Sequence, residues 1–206
     1  MKAHSAESQL TVSPEKALQF LKDGNNRFVN NLKVNRNLLE QVNDTREGQW
    51  PFAIILSCID SRTSAELVFD QGLGDIFSVR IAGNVLNEDI LGSMEFATKV
   101  VGSKIIVVLG HSKCGAIKGA CDHVEMGNLT TLLNKIQPAL NAEQTTIENR
   151  TSKNDLFVEK VASLNVKLTM ERIRRESDII REMEEEGAIK IVGGMYDVET
   201  GVVDFY

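Results

Sequence analysis

Two short apolar runs, Phe52-Ala53-Ile54-Ile55-Leu56 and Ile105-Ile106-Val107-Val108-Leu109, constrain this 206-residue chain more than anything else in it. Neither run alternates polar with apolar residues, so each reads as a strand buried on both faces. Helical patterns follow: one near 64–70, one near 88–101 and one opened by Cys114-Gly115. Strands separated by helices of this length imply right-handed crossovers and a mainly parallel sheet. Further strands are predicted at 75–80 and 189–195. Val202 to Phe205, beyond a Glu199-Thr200-Gly201 turn, reads as a hairpin partner at the sheet edge. The expected fold is therefore α/β, with four mainly parallel core strands, a C-terminal edge strand and flanking helices.

One domain over residues 13–206 accounts for the pattern, since no linker, repeat or low-complexity tract divides it. Residues 1–12 are polar and are expected to form a poorly ordered tail. Ser13-Pro14-Glu15-Lys16 is a helix start, with Ser13 as N-cap, Pro14 at the first position and Gly24 as the expected end. Residues 25–43 carry Phe28, Leu32, Leu38 and Leu39 without a core period, so 13–45 is read as a helical arm that packs on a second subunit. Residues 137–155 read as a surface excursion and 155–186 as one long amphipathic helix.

Composition narrows the partners. The net charge of −6 comes with no basic cluster, which argues against nucleic acid. No apolar run approaches 18 residues, so neither a membrane span nor a secretory signal is expected. Three cysteines make a poor disulfide framework, and the expected compartment is the reducing cytoplasm.

The chemistry lies where the two apolar runs end. Cys58-Ile59-Asp60-Ser61-Arg62 follows the first, and His111-Ser112-Lys113-Cys114 follows the second. Ligand sites in open α/β sheets form beyond the carboxyl ends of strands. Cys58, His111 and Cys114 offer two thiolates and an imidazole, a soft set suited to one Zn²⁺ per chain. Three ligands leave a fourth position for water, the pattern of catalytic zinc. Asp60 is two residues from Cys58 and shares its face on an extended backbone. It either accepts a hydrogen bond from that water or ligates the metal and closes the site. Arg62 can decide between these by pairing with Asp60. Cys121 reads as a buried free thiol and His123 as a surface histidine. The glycines do not form a phosphate-binding loop.

C-I-D-S-R followed by H-S-K-C-G resembles the β-class carbonic anhydrases, whose hallmark is C-x-D-x-R and then H-x-x-C. The likeness extends to the run from Asp75 to Asn84 and to the closing G-G-M-Y-D-V-E-T-G. It implies zinc on Cys58, His111 and Cys114, an Asp60–Arg62 catalytic dyad, and reversible hydration of CO₂ to bicarbonate. It also implies self-association into dimers or tetramers. Gln49, Phe77, Phe96 and Gly115 are the implied substrate lining. Ile55 stands where a bicarbonate-regulated subgroup has Trp, so the chain resembles the open, plant-like subgroup. Phe96 and Val100 stand where relatives carry a Tyr and a His able to move protons. Two other readings use the same residues: hydrolysis of CS₂ or COS, and a non-catalytic zinc- or redox-responsive binding module.

Overall fold

The computed structural model describes residues 4–206. Its centre is a five-stranded sheet of order β2-β1-β3-β4-β5. The strands are β1 (Ala53–Ser57), β2 (Ile76–Arg80), β3 (Ile105–His111), β4 (Lys190–Tyr196) and β5 (Val203–Phe205). β1 to β4 are parallel, and β5 pairs antiparallel to β4. All of β1 and β3 is buried, as their unbroken apolar runs require.

Side-chain alternation splits the core between the two faces. Ala53, Ile55, Ile105 and Val107 pack beneath α2 (Pro14–Val29) and α4 (Ala65–Val68). Ile54, Leu56, Ile106 and Val108 pack beneath α5 (Glu88–Glu95), α9 (Asp155–Glu176) and α10 (Asp178–Glu185). A third cluster gathers Cys58 and Cys114 with α6 (Gly115–Cys121), α7 (Gly127–Asn134), α8 (Gln137–Ala142) and α9. The chain leaves β1 for β2 on one side and returns to β3 on the other. The adjacent β1 and β3 ends therefore form the topological switch point.

Several expectations need correction. Residues 4–12 of the predicted tail are not loose; residues 1–3 lie outside the described residues. Ser5 and Ser8 close a capping box on α1 (Ala6–Leu10). Gln9 is buried and donates to the Pro51 carbonyl, and Val12 enters the core. Gly24 does not end α2, which continues to Val29. A Cβ at position 24 would lie 1.8 Å from the Phe69 carbonyl oxygen, so glycine is needed where helix and backbone cross.

Nor does the whole of 13–45 reach outward. Ala17 and Leu21 are core residues, and buried Asn25 donates to the carbonyls of Val68 and Gly201 while accepting from the Val203 N–H. Of that stretch, α3 (Leu38–Thr45) turns Leu38, Leu39 and Val42 to the exterior. The predicted helix 155–186 breaks at Ser177, which leaves helical geometry and caps α10 through Ile180 N–H. The helix near 88–101 ends in a π-helical turn over Phe96–Val100, which leaves Phe96 half-exposed.

Asp70 ties residues 27–36 to the sheet. Its buried carboxylate receives Arg27 Nε at 2.6 Å and Arg36 Nη1 at 2.5 Å, and also accepts from the Val34 N–H. Burial alone would raise its pKa; the two guanidiniums and the amide outweigh it and hold the carboxyl below its usual range. Asp70→Asn leaves two cations short of a partner and is expected to lower stability by on the order of 3 kcal/mol in urea unfolding at pH 7. Because the folded pKa is depressed, this contribution is complete above about pH 4 and fades as the pH falls further. The difference between wild type and variant should therefore shrink at pH 3.

Candidate metal centre

Register brings the ligands together. Ser57 of β1 pairs with Leu109 of β3, so Cys58 emerges beside the end of the strand that carries His111. Cys114 is the N-cap of α6, with no side-chain capping bond to engage its sulfur. The donor atoms of Cys58, His111 and Cys114 lie within 4.8 Å of one another, and all three residues are buried. The sulfurs are 4.0 Å apart. Tetrahedral zinc with bonds of about 2.3 Å would separate them by about 3.8 Å. His111 Nδ1 bonds the Ser112 carbonyl at 2.9 Å, while its buried Nε2 has no hydrogen-bond partner. A nitrogen so placed, facing two thiols, fits a zinc ligand.

The loop after β1 is held by groups that the strand and helix patterns did not reveal. Arg80 donates through Nε to the Cys58 carbonyl and through Nη2 to the Asp60 carbonyl, at 3.0 and 2.6 Å. Thr63 Oγ1 donates to the same two carbonyls. Gly83 N–H points at Cys58 Sγ from 3.3 Å. Gly83 has φ +67°, and a Cβ there would approach Ile136 Cδ1 to 2.9 Å. Arg80 and Gly83 fall within the run from Asp75 to Asn84, whereas Thr63 carried no sequence signal of its own.

Arg62 grips Asp60 bidentately, with Nε to Oδ1 at 2.9 Å and Nη2 to Oδ2 at 2.8 Å, and the Arg62 N–H adds a third bond. Arg62 holds the Asp60 carboxyl well below the usual carboxylate range, against partial burial. Asp60 Oδ2 stands 4.0 Å from His111 Nε2, so the dyad borders the ligand cluster. In the metal-free pair of thiols, the Cys114 hydrogen bond brings Cys58 down to about 4 against burial, aided by the Gly83 amide. Cys114, donor to that buried thiolate, is pushed up. The position of Cys114 at the start of α6 favours its thiolate, but the Cys58 hydrogen bond and burial outweigh that.

Residues 53–203 match the family profile described as carbonic anhydrase. The chain belongs to the carbonic anhydrase family. It is 34% identical over 195 residues to carbonic anhydrase 2 of Mycobacterium tuberculosis, covering 92% of this chain and 91% of that relative. Among solved structures, it is similar to the β-carbonic anhydrase CafA of Aspergillus fumigatus, with a TM-score of 0.72 and 26% identity over 82% of this chain and 81% of that one. It is also similar to a chain from the tetrameric β-carbonic anhydrases of Sordaria macrospora, with a TM-score of 0.68 and 25% identity over 78% and 82%. The likeness to a β-class carbonic anhydrase read from the motifs is thereby shown, as is the five-stranded α/β fold.

Not every implied site residue joins the cluster within one chain. Gly115 follows Cys114 directly, and a Cβ there would meet nothing within 4 Å. Phe77 and Phe96, with ring centroids 6.5 Å apart, line an open groove with Ile54, Glu88 and Gly92. Gln49 lines a separate groove beside α3 with Thr45 and Leu73. Neither groove includes a candidate ligand. Within the single chain, Gln49, Phe77 and Phe96 therefore line grooves apart from the three candidate ligands. Among the described residues, no helix is long and apolar enough to cross a membrane.

The shared proton gives a pH prediction. With Cys58 lowered and Cys114 raised, the metal-free pair is expected to share one proton between pH 6 and 8, which ligation by both sulfurs must release. Zinc uptake by the metal-free protein should release about one proton, and conditional affinity should rise about tenfold per pH unit. Indicator-dye titration in weak buffer and chelator competition at several pH values measure these quantities. No proton release would contradict the assignment.

Proposed function

We propose that this chain catalyses reversible hydration of carbon dioxide to bicarbonate and a proton, with one zinc ion held by Cys58, His111 and Cys114. The observation that carries the reading is the convergence of these three buried donors beside an Arg62-gripped Asp60. Zinc there supplies the Lewis acidity that makes water nucleophilic near neutral pH.

The protein's own residues do the rest. Two thiolates largely offset the metal charge, so orientation of the attacking water carries more of the burden. Asp60 Oδ2 is placed to accept its hydrogen bond. Arg62 occupies both carboxylate oxygens, which supports the open arrangement over one in which Asp60 closes the site. With its pKa held so low, Asp60 orients but does not store a proton at neutral pH. Apolar neighbours such as Val85 and Ile117 suit an uncharged, weakly polar substrate.

Self-association into dimers or tetramers follows from the same reading. The Sordaria relatives are tetrameric, and α3 exposes Leu38, Leu39 and Val42. Phe96 and Val100 are also exposed. A second copy would be needed for Gln49, Phe77 and Phe96 to line the path of CO₂, while Gly115 does so within its own chain. A cytoplasmic location agrees with the three free cysteines.

Two measurements test the reading. Asp60→Asn should keep zinc near one per chain yet lower stopped-flow CO₂ hydration by about 100-fold or more. Zinc-loaded wild type without activity from pH 7 to 9 would overturn the proposal. Because Asp60 cannot hold the released proton, and Phe96 and Val100 cannot carry one, kcat should rise with imidazole-type buffer concentration while kcat/KM stays nearly constant. A kcat indifferent to buffer would mean that the chain has its own proton carrier.

A further inference from the structure

Beyond β4, the turn at residues 197–202 is organised around one carboxylate. Asp197 Oδ1 accepts from Ser112 Oγ at 3.1 Å and from the Glu199 N–H at 2.9 Å, and Oδ2 accepts from Thr200 Oγ1 at 2.9 Å. These donors hold the Asp197 carboxyl below its usual range, the Glu199 amide contributing most. Ser112 is caught from both sides: its N–H donates to the Tyr196 carbonyl at 2.9 Å, and its Oγ accepts from the Val198 N–H at 3.0 Å. Lys113, next in the chain, is fixed in the left-handed region at φ +56° and pairs with Glu199. The peptide that begins at the Ser112 carbonyl is thus clamped by the turn and by the bend that follows.

That carbonyl is the partner of His111 Nδ1. A carbonyl only accepts, so Nδ1 carries the hydrogen, and in the neutral ring Nε2 keeps its lone pair on the side of Cys58 and Cys114. A tilt of the peptide would release the ring to rotate or to change tautomer. We propose that Asp197 is a positioning residue for the metal centre. It acts through the Ser112 hydroxyl to aim the Ser112 carbonyl, and thereby sets the tautomer and plane of His111. The proposal rests on His111 being a zinc ligand. Its physical basis is the general effect of hydrogen bonds that orient a ligating imidazole, whose removal costs about 10- to 100-fold in metal affinity.

The tests use zinc affinity by chelator competition and His111 ring ¹⁵N spectra, both independent of turnover. Wild type should show hydrogen on Nδ1, with and without zinc. Ser112→Ala and Asp197→Asn should each weaken zinc binding by about tenfold and broaden or shift the Nδ1 resonance, and the double variant should cost little more than either alone. Ser112→Thr, which keeps the hydroxyl, should restore both readouts. Thr200→Val removes an Asp197 bond that does not lead to Ser112; it should leave zinc affinity and the ring spectrum within twofold of wild type.

A variant merely loosened at the turn would lose thermal stability with the ring spectrum unchanged, and that outcome overturns the proposal. So would a wild-type spectrum with Nδ1 unprotonated, a result that needs no variant to fold. His111→Ala separates the two levels. If it retains zinc at wild-type affinity, the ligand assignment has failed. If it loses zinc while Ser112→Ala and Asp197→Asn keep it, the positioning role alone has failed.

Discussion

The parallel pairing of β1 with β3 is the constraint on which the rest of the molecule depends. Each strand is buried on both faces, so their backbone groups have no water to fall back on and must satisfy one another. The pairing also fixes register. A slip by one residue would exchange the faces beneath α2 and α9 and move Cys58 out of step with His111. One ladder of hydrogen bonds thus sets both the core and the separation of the candidate ligands.

Around that ladder, charge is used in two ways. Asp70 has a buried carboxylate that joins Arg27 and Arg36 in an ion trio and so anchors residues 27–36. Asp60 sits beside the cluster, where a single bidentate partner fixes its carboxylate and, on the proposed mechanism, leaves it to orient a water. The first arrangement spends its electrostatics on packing and the second on orientation. Arg80 and Thr63 serve the second by holding the carbonyls of Cys58 and Asp60, so the loop keeps its shape without a regular element.

Much of this was legible in the sequence, for identifiable reasons. Uninterrupted apolar runs marked β1 and β3, and chemically distinctive residues at their ends marked Cys58, Asp60, Arg62, His111 and Cys114. What escaped detection had no period or composition to betray it. Gln9 and Asn25 are polar residues buried by specific bonds to carbonyls, which hydropathy reads as exposed. Gly24 looked like a helix end because its real constraint, the Phe69 backbone, lies far away in sequence. Ser177 breaks a helix whose apolar spacing runs on across the break. Nothing in the spacing of Gln49, Phe77 and Phe96 shows which groove of a single chain each one lines. Ser112 and Asp197 are ordinary polar residues whose connection spans 85 positions.

The switch-point geometry also bears on the order of events as the chain folds. The two strand ends that supply Cys58 and His111 are separated by about 50 residues, including all of β2 and α5. Closing such a loop costs entropy before any contact repays it. Before the sheet forms, the only candidate donors close in sequence are His111 and Cys114, three residues apart. The third donor arrives when β1 zips onto β3. On the proposed ligand set, three-donor metal capture would follow the pairing of β1 with β3 and so report a completed sheet, unlike the small zinc modules in which the ion itself drives collapse.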